Sequence, residues 1–118
     1  MNEEYVPKQG DIVVIKPPPA AEGREQAKGR PWLVVSSQPY NEKIGLMLAV
    51  PLTTVVKGYP FEVAIAGTKQ ATGVALADQV QCLDWRARNA RRIDQAHPTV
   101  VATVGALIGV MVKVRTGG

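Results

Sequence analysis

Histidine and cysteine are almost absent from this sequence: His97 and Cys82 are the single examples of each in 118 residues. One cysteine excludes an internal disulfide and any cysteine-rich zinc or iron–sulfur centre. One histidine excludes a His-based metal cage and a two-histidine acid–base pair, so any catalysis falls to Arg, Thr, Glu and Asp. No metal or other cofactor is expected. Long apolar runs are missing too. The uncharged stretch from Pro98 to Val112 is shorter than the roughly 18–20 residues of a membrane span. The opening Met-Asn-Glu-Glu-Tyr-Val-Pro-Lys has neither the basic start nor the apolar run of a signal peptide, so a cytoplasmic protein without a membrane partner is expected. Acidic residues are in deficit, ten against fourteen Lys and Arg, giving a net charge of +4 and a pI near 9.5. That excess permits a polyanionic partner without demanding one.

What is present suits one globular domain spanning residues 1–118. The chain is 46% hydrophobic and 20% charged, a folding composition rather than a disordered one. At this length about two-thirds of the unfolded surface can be buried. The apolar runs are short: Ile12 to Ile15, Trp32 to Val35, Leu46 to Val50, Phe61 to Ala66, Val74 to Ala77 and Val80 to Leu83. Bounded by Gly, Pro, Asn or charged residues at spacings of about a dozen, they predict a mainly β fold, a small antiparallel sandwich or barrel. Tyr40 to Gly45 and Gly67 to Gly73 read as hairpin connections, which implies strands paired in sequence order. Cys82, inside an apolar run, reads as buried and inert.

Two stretches break the pattern. Pro17 to Gly29 holds three prolines and cannot be a central strand, so residues 17–29 form a surface loop, the expected lid or binding loop of a nearby site. Residues 98–114 read as a C-terminal helix, with Pro98 at its first position and Val101, Val104, Ile108 and Met111 on one face, the opposing reading being a final strand pair, for which the many valines argue. His97 is then a helix-start residue. Gly105 and Gly109 each cost about 1 kcal/mol in a helix relative to alanine. Their spacing suits close packing against the barrel or a second subunit.

Three places can carry chemistry. Glu25, Lys28 and Arg30 precede a buried strand, and Pro31 fixes the chain as it enters. A guanidinium held there can fork two hydrogen bonds onto a phosphate, or form a structural ion pair with a residue such as Glu25. Thr53 and Thr54 emerge where the third run leaves the core, placed either to hydrogen-bond a phosphate oxygen or to close an ordinary turn. Asp78 and Gln79 follow the GVALA run, and Arg86, Arg88, Arg91 and Arg92 come soon after with no acid among Arg86 to Arg92. That charge fits phosphate tracking and, equally, an edge strand kept charged against aggregation. Trp85 beside it reads as core.

Taken together, YVPKQGDIV (Tyr5 to Val13), EQAKGRP (Glu25 to Pro31), VPLTT (Val50 to Thr54), KGYPFEV (Lys57 to Val63), and GVALADQV with DWRAR (Gly73 to Arg88) resemble the MazF/PemK/Kid family of bacterial type II toxins. The likeness runs in order over residues 5 to 92, and KGYPFEV and GVALADQV are its specific strings. It implies a homodimer of SH3-like barrels that cuts single-stranded RNA without a metal, leaving 2′,3′-cyclic phosphate and 5′-hydroxyl ends. By match of motif it makes Arg30 and Thr53 catalytic, with Glu25 the nearby acid. Lys28, Thr54, Lys57, Arg86 and Arg88 would hold RNA, and Asp78 and Gln79 would read base edges. A small acidic antitoxin is the implied partner, its apolar anchors received by Trp32, Trp85 or the 17–29 loop. Two departures from the family pattern are the Pro17 to Pro19 run and the very apolar 99–112 segment. A gyrase-binding toxin of the CcdB kind shares the fold class but relies on a Trp-Gly-Ile tail, whereas this chain ends Arg115-Thr116-Gly117-Gly118. An RNA-binding barrel that has lost cleavage is a second alternative.

Overall fold

The computed structural model describes residues 4–17 and 30–114. In chain order the elements are β1 (Asp11–Val14), β2 (Trp32–Val34), α1 (Gln38–Ile44), β3 (Met47–Thr53), β4 (Glu62–Ala64), β5 (Val74–Leu76), a 3-10 turn (Ala77–Gln79), β6 (Gln81–Leu83), β7 (Arg91–Gln95) and α2 (Pro98–Met111). All strand pairs are antiparallel, in the order β4-β5-β3-β2-β1-β7 with β6 also on β3. β3 is the spine. One edge takes β2, while the other takes β6 at Met47–Ala49 and then β5 at Leu52–Thr53, so the sheet divides around β3 as in a small antiparallel barrel.

Side chains alternate across each strand. Ile12, Leu33 and Val50 fall in one buried cluster with Val100 and Val104 of α2, while Val13, Val34 and Ala49 fall in a second with Leu83 and Trp85. Both faces are covered, which explains why the strands read as continuous apolar runs.

The expected order of pairing holds for β1-β2, β2-β3 and β4-β5 and fails elsewhere, because β3 pairs with β5 and β6, and β1 with β7. Tyr40 to Gly45 does lie in the connection of an antiparallel pair, β2 with β3, but as most of the helix α1 and its Gly45 cap, not as a turn. Ser37 caps it by accepting from the Tyr40 N–H, a proline occupies its first turn, and Gly45 ends it in the left-handed region at φ 82°. Asn41 of α1 is fully buried, donating to the Pro7 carbonyl at 2.8 Å and accepting the Trp85 indole N–H at 2.9 Å. Trp85 is 2% exposed, so it belongs to the core and offers no anchor point to a partner. Cys82 is exposed, not buried: it pairs with the equally outward Leu48, while Leu83 takes the core position of that strand.

His97 caps α2, its Nδ1 accepting from the Thr99 N–H, and Pro98 follows in the first turn. The expected face holds for Val104, which is fully buried, and for Val101 and Ile108, which pack against the same core cluster, while Val100 joins it and Met111 is exposed. An added Cβ at Gly105 or Gly109 would meet nothing within 4 Å, so neither glycine serves packing against the sheet. No described helix is long and apolar enough to cross a membrane.

The loop between β4 and β5 is held by one carboxylate. Asp94 of β7 accepts the backbone N–H groups of Lys69, Gln70 and Ala71 at 2.6–3.1 Å, and that of Gln95 at 2.9 Å. Burial alone pushes this carboxyl up, but the four N–H donors outweigh it and hold the group well below the usual carboxylate range. The folded state therefore binds the Asp94 proton less readily than the unfolded chain. Its stabilisation is complete above the ordinary aspartate pKa of about 3.9 and fades as pH falls below it. Asp94→Asn is expected to cost about 1.5–3 kcal/mol near neutral pH by urea unfolding, with the gap to the unmodified protein narrowing in acid. A gap independent of pH would show that the carboxylate is not the clamp.

Candidate active site

The register of β2 on β3 builds the site. Trp32 lies opposite Pro51, Leu33 opposite Val50 and Val34 opposite Ala49. The Leu52 N–H donates to the Pro31 carbonyl at 2.9 Å, so pairing runs on beyond Trp32, and one more step sets Arg30 across from Thr53. On the other side of Thr53 stands Val74 of β5. The two residues proposed for chemistry, 23 positions apart in sequence, are thus neighbours on the sheet.

Arg30 and Thr53 line a cavity of about 360 Å³ with Lys57, Tyr59, Glu62 and Gln79, and with Val55 and Leu76 as apolar wall. The Thr53 Oγ1 accepts the Val55 N–H at 3.1 Å, which fixes the oxygen and leaves its O–H to donate outward. The turn reading and the phosphate reading of this threonine are therefore compatible. Among the described residues no carboxylate stands within ion-pair distance of Arg30 or Lys57. Glu62, the acid in the cavity, has each oxygen engaged by a backbone N–H, of Lys57 and Gly58, both at 2.8 Å. Asp78 sits at the centre of the 3-10 turn and accepts the Tyr59 hydroxyl at 2.6 Å.

The other candidates lie elsewhere. Thr54 is exposed just past β3 and does not line the cavity. Glu25, Lys28 and residues 18–29 of the expected loop fall outside the described residues. Arg86 and Arg88 follow β6, which pairs with β3 at its Met47 end. Six residues of strand, about 20 Å, separate Met47 from Thr53. There Arg86 pairs with Glu4 at 2.9 Å and stacks over Trp85, and Arg88 donates to the Lys16 carbonyl at 2.8 Å. A larger cleft of about 480 Å³, lined by Glu4, Tyr5, Asp11 and Arg92 among others, takes in one member of the Arg86 to Arg92 run but none of the residues that the family resemblance assigns to catalysis or RNA binding. Its buried Asp11 is tied to the Tyr5 hydroxyl, the Lys8 N–H and Arg92. Among the described residues no group of three or more His, Cys, Asp and Glu could hold a metal ion.

Sequence reasoning missed Tyr59 and Glu62, although both lie in KGYPFEV. The available signal was an acid four residues after Gly58: a loop whose backbone N–H groups need an acceptor often finds it in a nearby carboxylate.

A small antiparallel barrel with an Arg and a Lys lining a strand-end pocket, neither ion-paired among the described residues, is a class of scaffold that could receive an anion, and comparison with known proteins narrows it. Residues 8–112 match the family of PemK-like, MazF-like toxins of type II toxin–antitoxin systems. The chain is 44% identical to the endoribonuclease toxin MazF of Escherichia coli (strain K12) over 112 residues, covering 95% of this chain and 99% of that one. It is 36% identical to the endoribonuclease toxin ChpB of the same organism over 98 residues, 80% of this chain and 84% of that one. Among solved structures, a MazE-MazF crystal structure from Deinococcus radiodurans superposes with a TM-score of 0.80 at 37% identity, covering 95% of this chain and 100% of that one. The chain belongs to the PemK-like, MazF-like toxin family.

One glycine guards the geometry. Gly73 has φ +100°, and a Cβ there would drive into the Thr53 carbonyl oxygen and crowd the Thr54 Cα. These are backbone atoms that cannot swing away. Gly73→Ala is expected to cost about 2–4 kcal/mol in urea unfolding, from the positive φ and the steric strain together. A loss below about 0.5 kcal/mol would mean that the Thr53 backbone yields easily and is not pinned there.

Proposed function

We propose that the chain is a sequence-specific endoribonuclease that cleaves single-stranded RNA without a metal, leaving 2′,3′-cyclic phosphate and 5′-hydroxyl ends, and that it acts as the toxin of a toxin–antitoxin pair. The observation that carries this reading is the placement of Arg30 across from Thr53 in a cavity shared with Lys57 and Gln79. The family supports it, as do relatives named endoribonucleases.

In this reaction the ribose 2′-hydroxyl attacks its own phosphorus: the 2′-oxygen–phosphorus bond forms, the phosphorus–5′-oxygen bond breaks, the 2′ proton leaves to a carboxylate, and solvent water supplies the proton that the 5′-oxygen takes up. The nucleophile is already tethered, so the protein supplies orientation and charge stabilisation. Arg30 forks onto the non-bridging oxygens, where negative charge develops. Thr53 donates its O–H to one of them from an oxygen pinned by Val55. Lys57 holds a flanking phosphate and Gln79 reads a base edge. Glu25 takes the 2′ proton, because Glu62 is committed to the loop backbone. Arg86 and Arg88, at the far end of β3, reach only flanking nucleotides.

The protein works as a homodimer in this reading, and its partner is a small acidic antitoxin. A MazE-MazF complex is known from Deinococcus radiodurans. Arg30 and Lys57 attract Asp and Glu for the reason that they attract phosphates, so an acidic tail occupying the cavity blocks RNA.

Incubation of the purified protein with a mixed RNA pool in EDTA, followed by end-group analysis, tests the activity. Cutting to cyclic phosphate ends is expected, with Arg30→Ala reducing it by on the order of 10²–10³ while the thermal midpoint stays unchanged. Strict dependence on added magnesium, or full activity in Arg30→Ala, would contradict the mechanism. Absence of RNA cutting alongside binding to gyrase would favour the CcdB-like alternative.

A further inference from the structure

The loop between β3 and β4 has little reason to be ordered. Val55 and Val56 are 62% and 61% exposed, and Gly58 at φ 80° adds a flexible hinge. Yet it carries Lys57 into the cavity. Four hydrogen bonds hold its Lys57 to Tyr59 part. Glu62, on β4 and paired with Leu76 of β5, accepts the Lys57 and Gly58 N–H groups, one on each oxygen. Its own N–H donates back to the Tyr59 carbonyl at 3.1 Å. The Tyr59 hydroxyl then crosses 19 residues of sequence to donate to Asp78 on the 3-10 turn.

We propose that Glu62, Tyr59 and Asp78 form a brace of positioning residues, fixing the spacing between the phosphate-holding Lys57 and the base-reading Gln79 and so setting which sequence is cut. The inference rests on the ribonuclease reading above. It also reassigns Asp78: with one carboxylate oxygen spent on Tyr59, the residue acts through the brace, and base reading falls to its neighbour Gln79.

Two physical points support this. The bonds to Glu62 lie at the surface, so water replaces them when they are broken and global stability changes little. What is lost is the fixed loop geometry, a functional rather than a folding cost. The hydrogen bond to Asp78 also raises the Tyr59 hydroxyl above the ordinary phenol range, with a smaller opposing contribution from the Gln79 side chain, as follows for a phenol that donates to a carboxylate.

The test compares the unmodified protein with Tyr59→Phe, Asp78→Asn, Asp78→Ala and the double variant Tyr59→Phe/Asp78→Ala. Kinetics are measured on one preferred oligoribonucleotide, and cut sites are sequenced from an RNA pool. Tyr59→Phe and Asp78→Ala are each expected to raise KM by about five- to tenfold with kcat within about twofold, and to broaden the cut sequence. The double variant should be no worse than either single, because both remove one contact. Asp78→Asn keeps an acceptor oxygen for Tyr59 and should restore near-normal KM and preference. If Asp78→Asn changes the preferred sequence while Tyr59→Phe does not, Asp78 reads the base directly and the brace is overturned. Unchanged KM and preference in Tyr59→Phe also overturns it, with the ribonuclease reading intact. Absence of cutting by the unmodified protein overturns both.

Discussion

The pairing of β2 with β3 is the constraint on which the rest of the molecule depends. One register, fixed by Leu33 against Val50 and Trp32 against Pro51, decides which faces are buried and sets Arg30 beside Thr53. A slip of one residue would turn Leu33 out of its cluster and expose Val34's partners, so the cores on both faces hold the register in place. The site inherits that rigidity. The two side chains proposed for the chemistry sit at the end of β3 and just before β2, and Gly73 lets β5 approach Thr53 closely from the other side.

The carboxylates give the molecule a second organising pattern. Asp94 gathers the N–H groups of the 69–71 turn, Glu62 those of Lys57 and Gly58, Asp84 that of Ala87 and Asp11 that of Lys8. Each satisfies backbone donors that a turn leaves orphaned. Among the described residues, acids committed in this way form no ion pair with the cavity's Arg30 and Lys57. At the other end of β3, Arg86 is paired with Glu4, and Arg88 donates to the Lys16 carbonyl.

Much of this was legible in the sequence, and the failures have physical causes. Short apolar runs bounded by Gly and Pro mark the strands because both faces are buried, and the His97-Pro98 start of α2 is a capping signal that needs no tertiary information. Partner choice was not legible: a strand of three residues such as β5 carries no mark of whether β3 or β6 will lie beside it. α1 was misread because its seven residues are largely polar and lack an apolar stripe, although Ser37 and Gly45 were present as caps. Cys82 was misplaced because a run as short as Val80 to Leu83 does not show which residues face outward. The members of KGYPFEV and GVALADQV could be recognised as motifs. That Tyr59 reaches Asp78, and that Glu62 folds back on its own loop, are long-range and loop-local facts invisible to periodicity.

If the register of β2 and β3 creates one catalytic unit, Arg30 and Thr53 serve the same phosphate and their losses cannot multiply. The direct measurement is a double-mutant cycle on kcat/KM with Arg30→Ala, Thr53→Ala and the two combined, each verified as folded. The expected result is a double variant within about threefold of the worse single. A double variant whose loss equals the product of the two single losses would show that the residues act independently, and would contradict a shared site built by that register.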